Sequence, residues 1–211
     1  MTAVKQRYHH GDLRTALLDS ALEIIGELGP HGLTIREVAR RAGVSHAAPY
    51  RHFKDKNELI LAVVERGFEL MNATMQAKKE AAGDDLLNQF AASGLAYVDF
   101  ALNHPAYYRI MFSGDLLSTT GNVSLQHTSR EALQQMVSDI GEDQKMGFVK
   151  EGDPVTQALT ILSTLHGFVS LANDNRIGHL VDNPYSLDDI RDAVLSAIFD
   201  GIGAAPPSTP S

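Results

Sequence analysis

TIREVARRAGVSHAAPYRHF, residues 34–53, holds two helix starts, one glycine between them, and a proline where the second helix should already be under way. Thr34 opens the first helix: its hydroxyl is spaced to accept the third backbone N–H, and Glu37 to reach back to the Thr34 N–H, as in a capping box. Such a cap contributes about 1 kcal/mol. Ile35, Val38, Ala39 and Ala42 then share one side, and Gly43 supplies the left-handed residue that ends the helix. Ser45 is a second N-cap only two residues on, so a short helix follows at once, and two short helices joined by a glycine turn make a helix-turn-helix. Counted from Ser45, Pro49 takes the fourth helical position, where it forfeits the first intrahelical bond and crowds a carbonyl. Tightening that turn toward 3₁₀ geometry lowers the cost. Pro49 then becomes a rigid apolar plug against the preceding helices, with His46, Ala47, Tyr50 and Arg51 facing outward. The alternative is that HAAP is a loop and the helix starts after it.

Outward from this stretch the punctuation stays helical, and no segment sustains the period-two alternation of a strand. Upstream, Leu13, Leu17, Ala21, Ile24, Ile25 and Leu28 form one stripe, stopped by Gly29-Pro30. Downstream, Asp55 and Glu58 repeat the capping-box spacing and open a fourth helix to about Lys79, long enough to bridge a head and a body. A fifth helix spans roughly Asp84 to Leu102, and a sixth starts at Pro105 and ends at Gly114. GDLLSTTGN (114–122) reads as a loop, a seventh helix covers about Val123 to Ile140, and GEDQKMGFVKEGDP (141–154) reads as a polar connection. The eighth helix, from Pro154, is apolar on nearly every side through Val155, Leu159, Leu162, Leu165 and Leu171, so it must be covered all round. The ninth opens at Ser186 and carries Ile190, Ala193, Val194, Ala197 and Ile198 on one face. The tail AAPPSTPS (204–211) has nothing to bury and is expected to be disordered. The fold class is therefore all-α: a three-helix helix-turn-helix head over 1–54, a connecting helix over about 55–80, and a larger helical-bundle domain over 81–203.

At 211 residues and 44% apolar content the chain can bury a core. It has no cysteine, which excludes disulfides and thiolate metal sites. The start, MTAVKQRYHHGD, has no apolar core or cleavage pattern, and no run approaches about 18 uninterrupted apolar residues. A cytoplasmic location with no membrane partner is expected. The net charge of −8 is uneven: residues 1–60 hold nine basic and seven acidic residues, the remainder nine and nineteen. An anion-binding head on an acidic body fits that asymmetry, as does chance variation between small domains. G-x-S-x-G, H-E-x-x-H, P-loop and Rossmann patterns are absent. The acid pairs Asp84-Asp85, Glu142-Asp143 and Asp188-Asp189 sit at helix starts or in connections, where capping and solubility explain them. Neither an enzyme nor a cofactor is expected. Nor is a metal site, because His9-His10 is terminal and no other two histidines share a helix at i, i+4 with a carboxylate.

TIREVARRAGVSHAAPYRHFKDKNEL, residues 34–59, resembles the N-terminal DNA-binding region of the TetR family of one-component bacterial transcriptional regulators: a capped second helix, A-G-V-S, a Tyr, a His-Phe pair, and a Lys followed by an acid and Leu. YHHGDLR (8–14), NHPAYYRIMF (103–112) and LHGFVSL (165–171) resemble the subgroup whose ligand domain carries a Trp-His-Gly signature, with Leu165 in place of the tryptophan. The resemblance implies a homodimer joined through the eighth and ninth helices. It also implies two heads on a palindromic double-stranded DNA operator, and repression lifted by a small-molecule effector bound in the body. On the matched positions Thr34, Tyr50 and Lys56 are implied phosphate contacts. Arg36, His46, Ala47 and His52 are implied groove contacts, Arg36 to guanine and Ala47 to a thymine methyl, with Ser45 beside them. Phe53 and Val44 are core, and Arg40 and Arg41 a solvated helix end next to its dipole. Arg7, His9 and His10 form either an arm toward the minor groove or a frayed terminus. His166 is either a satisfied core histidine or a hydrogen-bonding group for a hydrophobic effector. In the second case Tyr97, Phe100, Tyr107, Met111, Phe112, Phe168 and Asn173 are its candidate lining. A helical interaction protein with a vestigial DNA-binding head is the rival function.

Overall fold

Helices make up the regular structure in the computed structural model, which describes residues 10–113, 123–180 and 185–203. Arg7 and His9 of the expected arm, the side chain of His10, the loop expected at 114–122 and the tail expected from 204 lie outside the described residues. The helices are α1 (His10–Leu28), α2 (Ile35–Arg41), α3 (Lys56–Ala81), α4 (Leu86–Asn103), α5 (Pro105–Met111), α6 (Val123–Lys145), α7 (Pro154–Asn173), α8 (Ile177–Leu180) and α9 (Leu187–Ile202). Short 3₁₀ turns stand at Pro30–Gly32 and Pro49–Arg51. Among the described residues the one extended pairing is an isolated bridge between Val149 and Gly203, so the all-α class holds. The eighth and ninth expected helices are α7 and α9.

The chain forms two compact units, Met1–Phe68 with Pro105–Leu125, and Glu69–His104 with Gln126–Ser211. This division lies further along the chain than the head boundary expected at residue 54. The first half of α3 belongs with α1 and α2 because its apolar side chains Leu59, Ile60, Val63, Val64 and Phe68 are buried. There α1 supplies Leu17, Ala21, Ile24 and Ile25, all at 0% exposure, while Leu28 at the end of the expected stripe is 59% exposed. The short α5 packs on α1. It also presses on α3 at Gly67, where a Cβ would lie 2.6 Å from Met111 Sδ and 3.0 Å from Tyr107 Cδ1. A side chain beyond alanine has no room there, and even a methyl requires Met111 to shift.

In the C-terminal unit α7 packs against α4 and α9, and α9 against α4. Asp153 caps α7 by accepting the Val155 and Thr156 N–H groups, and Pro154 follows at the first position. Ser186 and Asp189 form a complete capping box on α9. The face of α7 that carries Ala158, Ile161, Leu165, Phe168 and Val169 is buried, but Val155 and Leu159 remain 47% and 45% exposed. The all-round cover expected for this helix is therefore not supplied within one chain. By length and composition α7 is also apolar enough to cross a membrane. Its buried stripe against α4 and α9 is that of a helix in a bundle core.

The connection expected at 141–154 begins later than its polarity suggests, because Gly141 to Lys145 continue α6. Gln144 then satisfies the segment that follows, its Nε2 donating to the carbonyls of Lys150 and Gly152 and to Gln157 Oε1. Lys150 closes the other side: its backbone N–H donates to the Ile202 carbonyl at 2.8 Å. Its ammonium donates to the carbonyls of Asp200 and Gly201 at 2.8 and 3.1 Å. A cation there answers the negative end of the α9 dipole.

Candidate nucleic-acid interface

The candidate interface starts at the cap of α2. Thr34 Oγ1 accepts the Glu37 N–H at 3.1 Å, leaving its own hydroxyl proton to donate outward. The return bond expected from Glu37 to the Thr34 N–H is replaced by another arrangement. The Glu37 carboxylate is taken by Arg40, at 2.8 and 2.6 Å, and by Arg41 at 3.2 Å. These hydrogen bonds, that from Arg40 foremost, hold the Glu37 carboxyl down at about 2. Arg41 also reaches across to Glu27 on α1 with both terminal nitrogens, and its side chain is only 18% exposed. Arg41 is thus an ionic tie between two helices and not the solvated end expected of it. Burying Ile35, Val38 and Ala39 behind this tie leaves Arg36 exposed in the first turn.

After α2 the backbone turns through Ala42 and Gly43. The Gly43 N–H bonds the Arg40 carbonyl and the Val44 N–H the Ala39 carbonyl, the bond pair of a Schellman motif. The φ of +72° at Gly29 recurs here as +67° at Gly43, a conformation that favours glycine. The recognition segment that follows is not the α-helix expected from Ser45. Proline has no N–H to offer the Ser45 carbonyl, which is bonded instead by the Ala48 N–H at 2.9 Å. The next steps are equally tight, with Arg51 N–H on Ala48 and His52 N–H on Pro49, and the Phe53 N–H adds a single α-type bond to the same Pro49 carbonyl. The result is a run of tight turns ending in the 3₁₀ segment Pro49–Arg51, packed on α2. Ser45 consequently caps no helix. Pro49 is buried, as the plug reading requires, and Phe53 is 2% exposed beneath the Arg14 guanidinium, which lies 5.7 Å from its ring centroid. Arg14 was not among the expected site residues; its distance along the chain from Phe53 hides the contact.

Around these anchors Thr34, Arg36, Ser45, His46, Ala47 and Tyr50 are exposed, Tyr50 at 59%, while His52, Lys56 and Val44 are half-buried. A phenol, a hydroxyl, a guanidinium and small residues thus stand out from a segment whose shape is set from behind. Donors of this kind bond phosphate oxygens, and small residues allow close approach to a groove.

The candidate effector residues divide between the units. Tyr97, Phe100 and Phe168 are buried in the C-terminal unit, with the Phe100 ring 5.1 Å from that of His104. Asn173 donates from Nδ2 to the Ala101 carbonyl at 3.2 Å, tying the end of α7 to α4. His166 is half-buried, and burial pushes its imidazole below the ordinary histidine range, toward the neutral form. Tyr107, Met111 and Phe112 belong instead to the N-terminal unit. There Phe112 stacks with Tyr108 at 4.6 Å and meets Phe68 edge-on at 6.3 Å. Among the described residues no group of three or more His, Asp or Glu side chains is placed to hold a metal ion.

Residues 17–63 match the model of a family described as bacterial regulatory proteins, tetR family, and residues 90–198 match that of the tetracyclin repressor-like, C-terminal domain. The solved structure of a protein with unknown function from Rhodococcus sp. RHA1 superposes with a TM-score of 0.80 at 31% identity, covering 94% of this chain and 99% of that one. The HTH-type transcriptional activator FasR of Mycolicibacterium smegmatis is 30% identical over 135 residues, 64% of this chain and 61% of the relative. The HTH-type transcriptional regulator BetI of Escherichia coli is 28% identical over 144 residues, 60% of this chain and 67% of the relative. The match thus spans about three fifths of FasR and two thirds of BetI.

Proposed function

The chain belongs to the tetR family of bacterial regulatory proteins, and on that premise we propose that it is a ligand-responsive transcription regulator that binds operator DNA as a homodimer. The observation that carries the reading is the exposed set Thr34, Arg36, His46, Ala47 and Tyr50 on a segment anchored from behind by buried Pro49 and Phe53. An interaction protein with an idle head has no use for that arrangement. Repression is the favoured direction, although FasR is named an activator, because a dimer that releases DNA on binding a ligand needs no contact with polymerase. The exposed Val155 and Leu159 of α7, with half-exposed Ile190, Val194 and Ile198 on α9, support these two helices as the dimer seam. Reading of paired half-sites requires such a two-fold. The protein acts in the cytoplasm, and no catalytic role is assigned to it.

The test is fluorescence anisotropy with the protein's own promoter region at two salt concentrations, with scrambled DNA as competitor. Salt-sensitive binding that survives the competitor supports an operator reader; binding abolished by any competitor overturns it. Tyr50→Ala should weaken binding about tenfold on operator and scrambled DNA alike, the loss of one hydrogen bond to a charged phosphate. A changed base preference with general affinity intact would remove the phosphate role.

The effector is a small hydrophobic or amphipathic molecule held in the C-terminal unit, whose aromatic interior of Tyr97, Phe100 and Phe168 supports that class. His166 supplies the polar contact. In an anisotropy release assay, His166→Ala should raise the effector concentration needed to free the DNA by about tenfold. Operator affinity without effector should hold. If operator affinity falls instead, His166 is a core residue.

A further inference from the structure

The N-terminal unit carries two kinds of cation. Arg40 is locked to Glu37, and Arg41 to Glu27 and Glu37. Arg66 is held by Asp19 at 2.6 Å, and Arg14 lies over the Phe53 ring. A cation already paired in the free protein would have to give up one anion to take another, and while it keeps its carboxylate it neutralises no phosphate and releases no condensed counterion of the DNA. Arg36, Arg51, Lys54 and Lys56 are the other kind: among the described residues they form no ion pair. Arg36 and Lys56 already stand in the proposed interface. Arg51 and Lys54 do not, yet both are exposed and lie in the same anchored segment, one directly after Tyr50, the other directly after Phe53.

Their backbones are fixed while their charged ends are left over. The Arg51 N–H is bonded to the Ala48 carbonyl at 3.2 Å, inside the 3₁₀ turn. The Lys54 N–H is bonded to the Glu58 carboxylate, and the Asp55 carboxylate accepts the Glu58 N–H. The two acids nearest Lys54 are thus engaged with the backbone at the start of α3, and neither pairs with its ammonium. We propose that Arg51 and Lys54 are further phosphate-binding residues of the operator face, whereas Arg40 and Arg41, the most basic dipeptide in this part of the chain, are structural. The proposal rests on the reading of the protein as a DNA-binding dimer. Its chemistry is general: an unpaired cation set against a phosphate displaces a counterion, and each phosphate neutralised on duplex DNA steepens the fall of log K with log salt by about 0.9.

The experiment measures that slope for the full-length protein on its promoter fragment and on unrelated duplex DNA, with Arg51→Gln, Lys54→Gln, Arg40→Gln, Arg51→Lys and Lys54→Arg. A dimer loses two cations per substitution, so Arg51→Gln and Lys54→Gln should each flatten the slope by about 1.8 on both DNAs. Arg51→Lys and Lys54→Arg should keep the parent slope, and so should Arg40→Gln. Thermal unfolding of each variant at the parent temperature keeps the comparison one of charge alone. If the two glutamine variants retain the parent slope, or if Arg40→Gln flattens it as much as they do, the assignment fails. If the parent protein binds neither DNA in a salt-dependent way, the regulator reading itself fails, a result separate from the first.

Discussion

Phe53→Ala should destabilise the N-terminal unit by about 3–5 kcal/mol, the range for truncating a buried Phe. Native domains are stable by only about 5–15 kcal/mol, so operator binding should be lost together with much of the folded population at physiological temperature. The argument is local before it is energetic. The recognition segment has no ladder of α-helical bonds to keep its shape. It has the Ala48 bond to Ser45, three bonds on Ala48 and Pro49, and two buried anchors, Pro49 and Phe53. Phe53 is the larger anchor, 2% exposed, and its removal leaves a cavity and takes away the ring on which Arg14 rests. Urea denaturation should show a lower midpoint at unchanged slope, and Phe53→Leu should fall between the parent and the alanine variant. A parent-like midpoint for Phe53→Ala would show that the segment is held by something other than its anchors.

Gly67→Leu should cost about 1–3 kcal/mol, the range for overpacking a filled core. The site is the crossing of α3 and α5, where even a Cβ would stand 2.6 Å from Met111 Sδ and 3.0 Å from Tyr107 Cδ1. Met111 is 1% exposed and Tyr107 5%, so neither has solvent to move into. Alanine is a different case. Its better helix propensity, worth about 1 kcal/mol over glycine, opposes a clash with the flexible end of a methionine, and Gly67→Ala should lie near the parent. Met111→Ala in the Gly67→Leu background should recover most of the loss. A double-mutant cycle measured by denaturation checks this, and additive single effects would show that the two residues do not meet.

The parts of the fold written in short-range chemistry were legible in the sequence. The Thr34 and Ser186 caps, the helix start at Pro154, the Gly29-Pro30 stop and the Gly43 turn each depend on residues no more than five apart, and each appears where the spacing places it. Pro49 was legible as an obstacle and as a buried plug. That it converts the whole segment to tight turns was not, because the outcome depends on which N–H the Ser45 carbonyl finds instead. Glu37 misled for a related reason: the spacing that allows a capping box also places Arg40 and Arg41 within reach of its carboxylate, and the charged partners win. Least legible were the partners of apolar faces. NHPAYYRIMF reads equally well as pocket lining or as core, and only the approach of α5 to α1 and Gly67 assigns Tyr107 and Met111 to the N-terminal unit. Periodicity tells which side of a helix is covered, not what covers it. For the same reason Leu28, in phase with its stripe, nevertheless lies open.

The division of labour within residues 45–53 also bears on how such a protein changes over generations. Its shape is carried by backbone hydrogen bonds, one proline and one buried ring, while the side chains that face outward, those of His46, Ala47, Tyr50 and Arg51, carry none of it. On the proposed reading, variation at His46 and Ala47 would alter which DNA is preferred, and variation at Tyr50 and Arg51 how tightly any DNA is held, without drawing on the stability of the fold. Descendants of a duplicated copy are free to drift toward new control sites one side chain at a time, with a folded ancestor at every step.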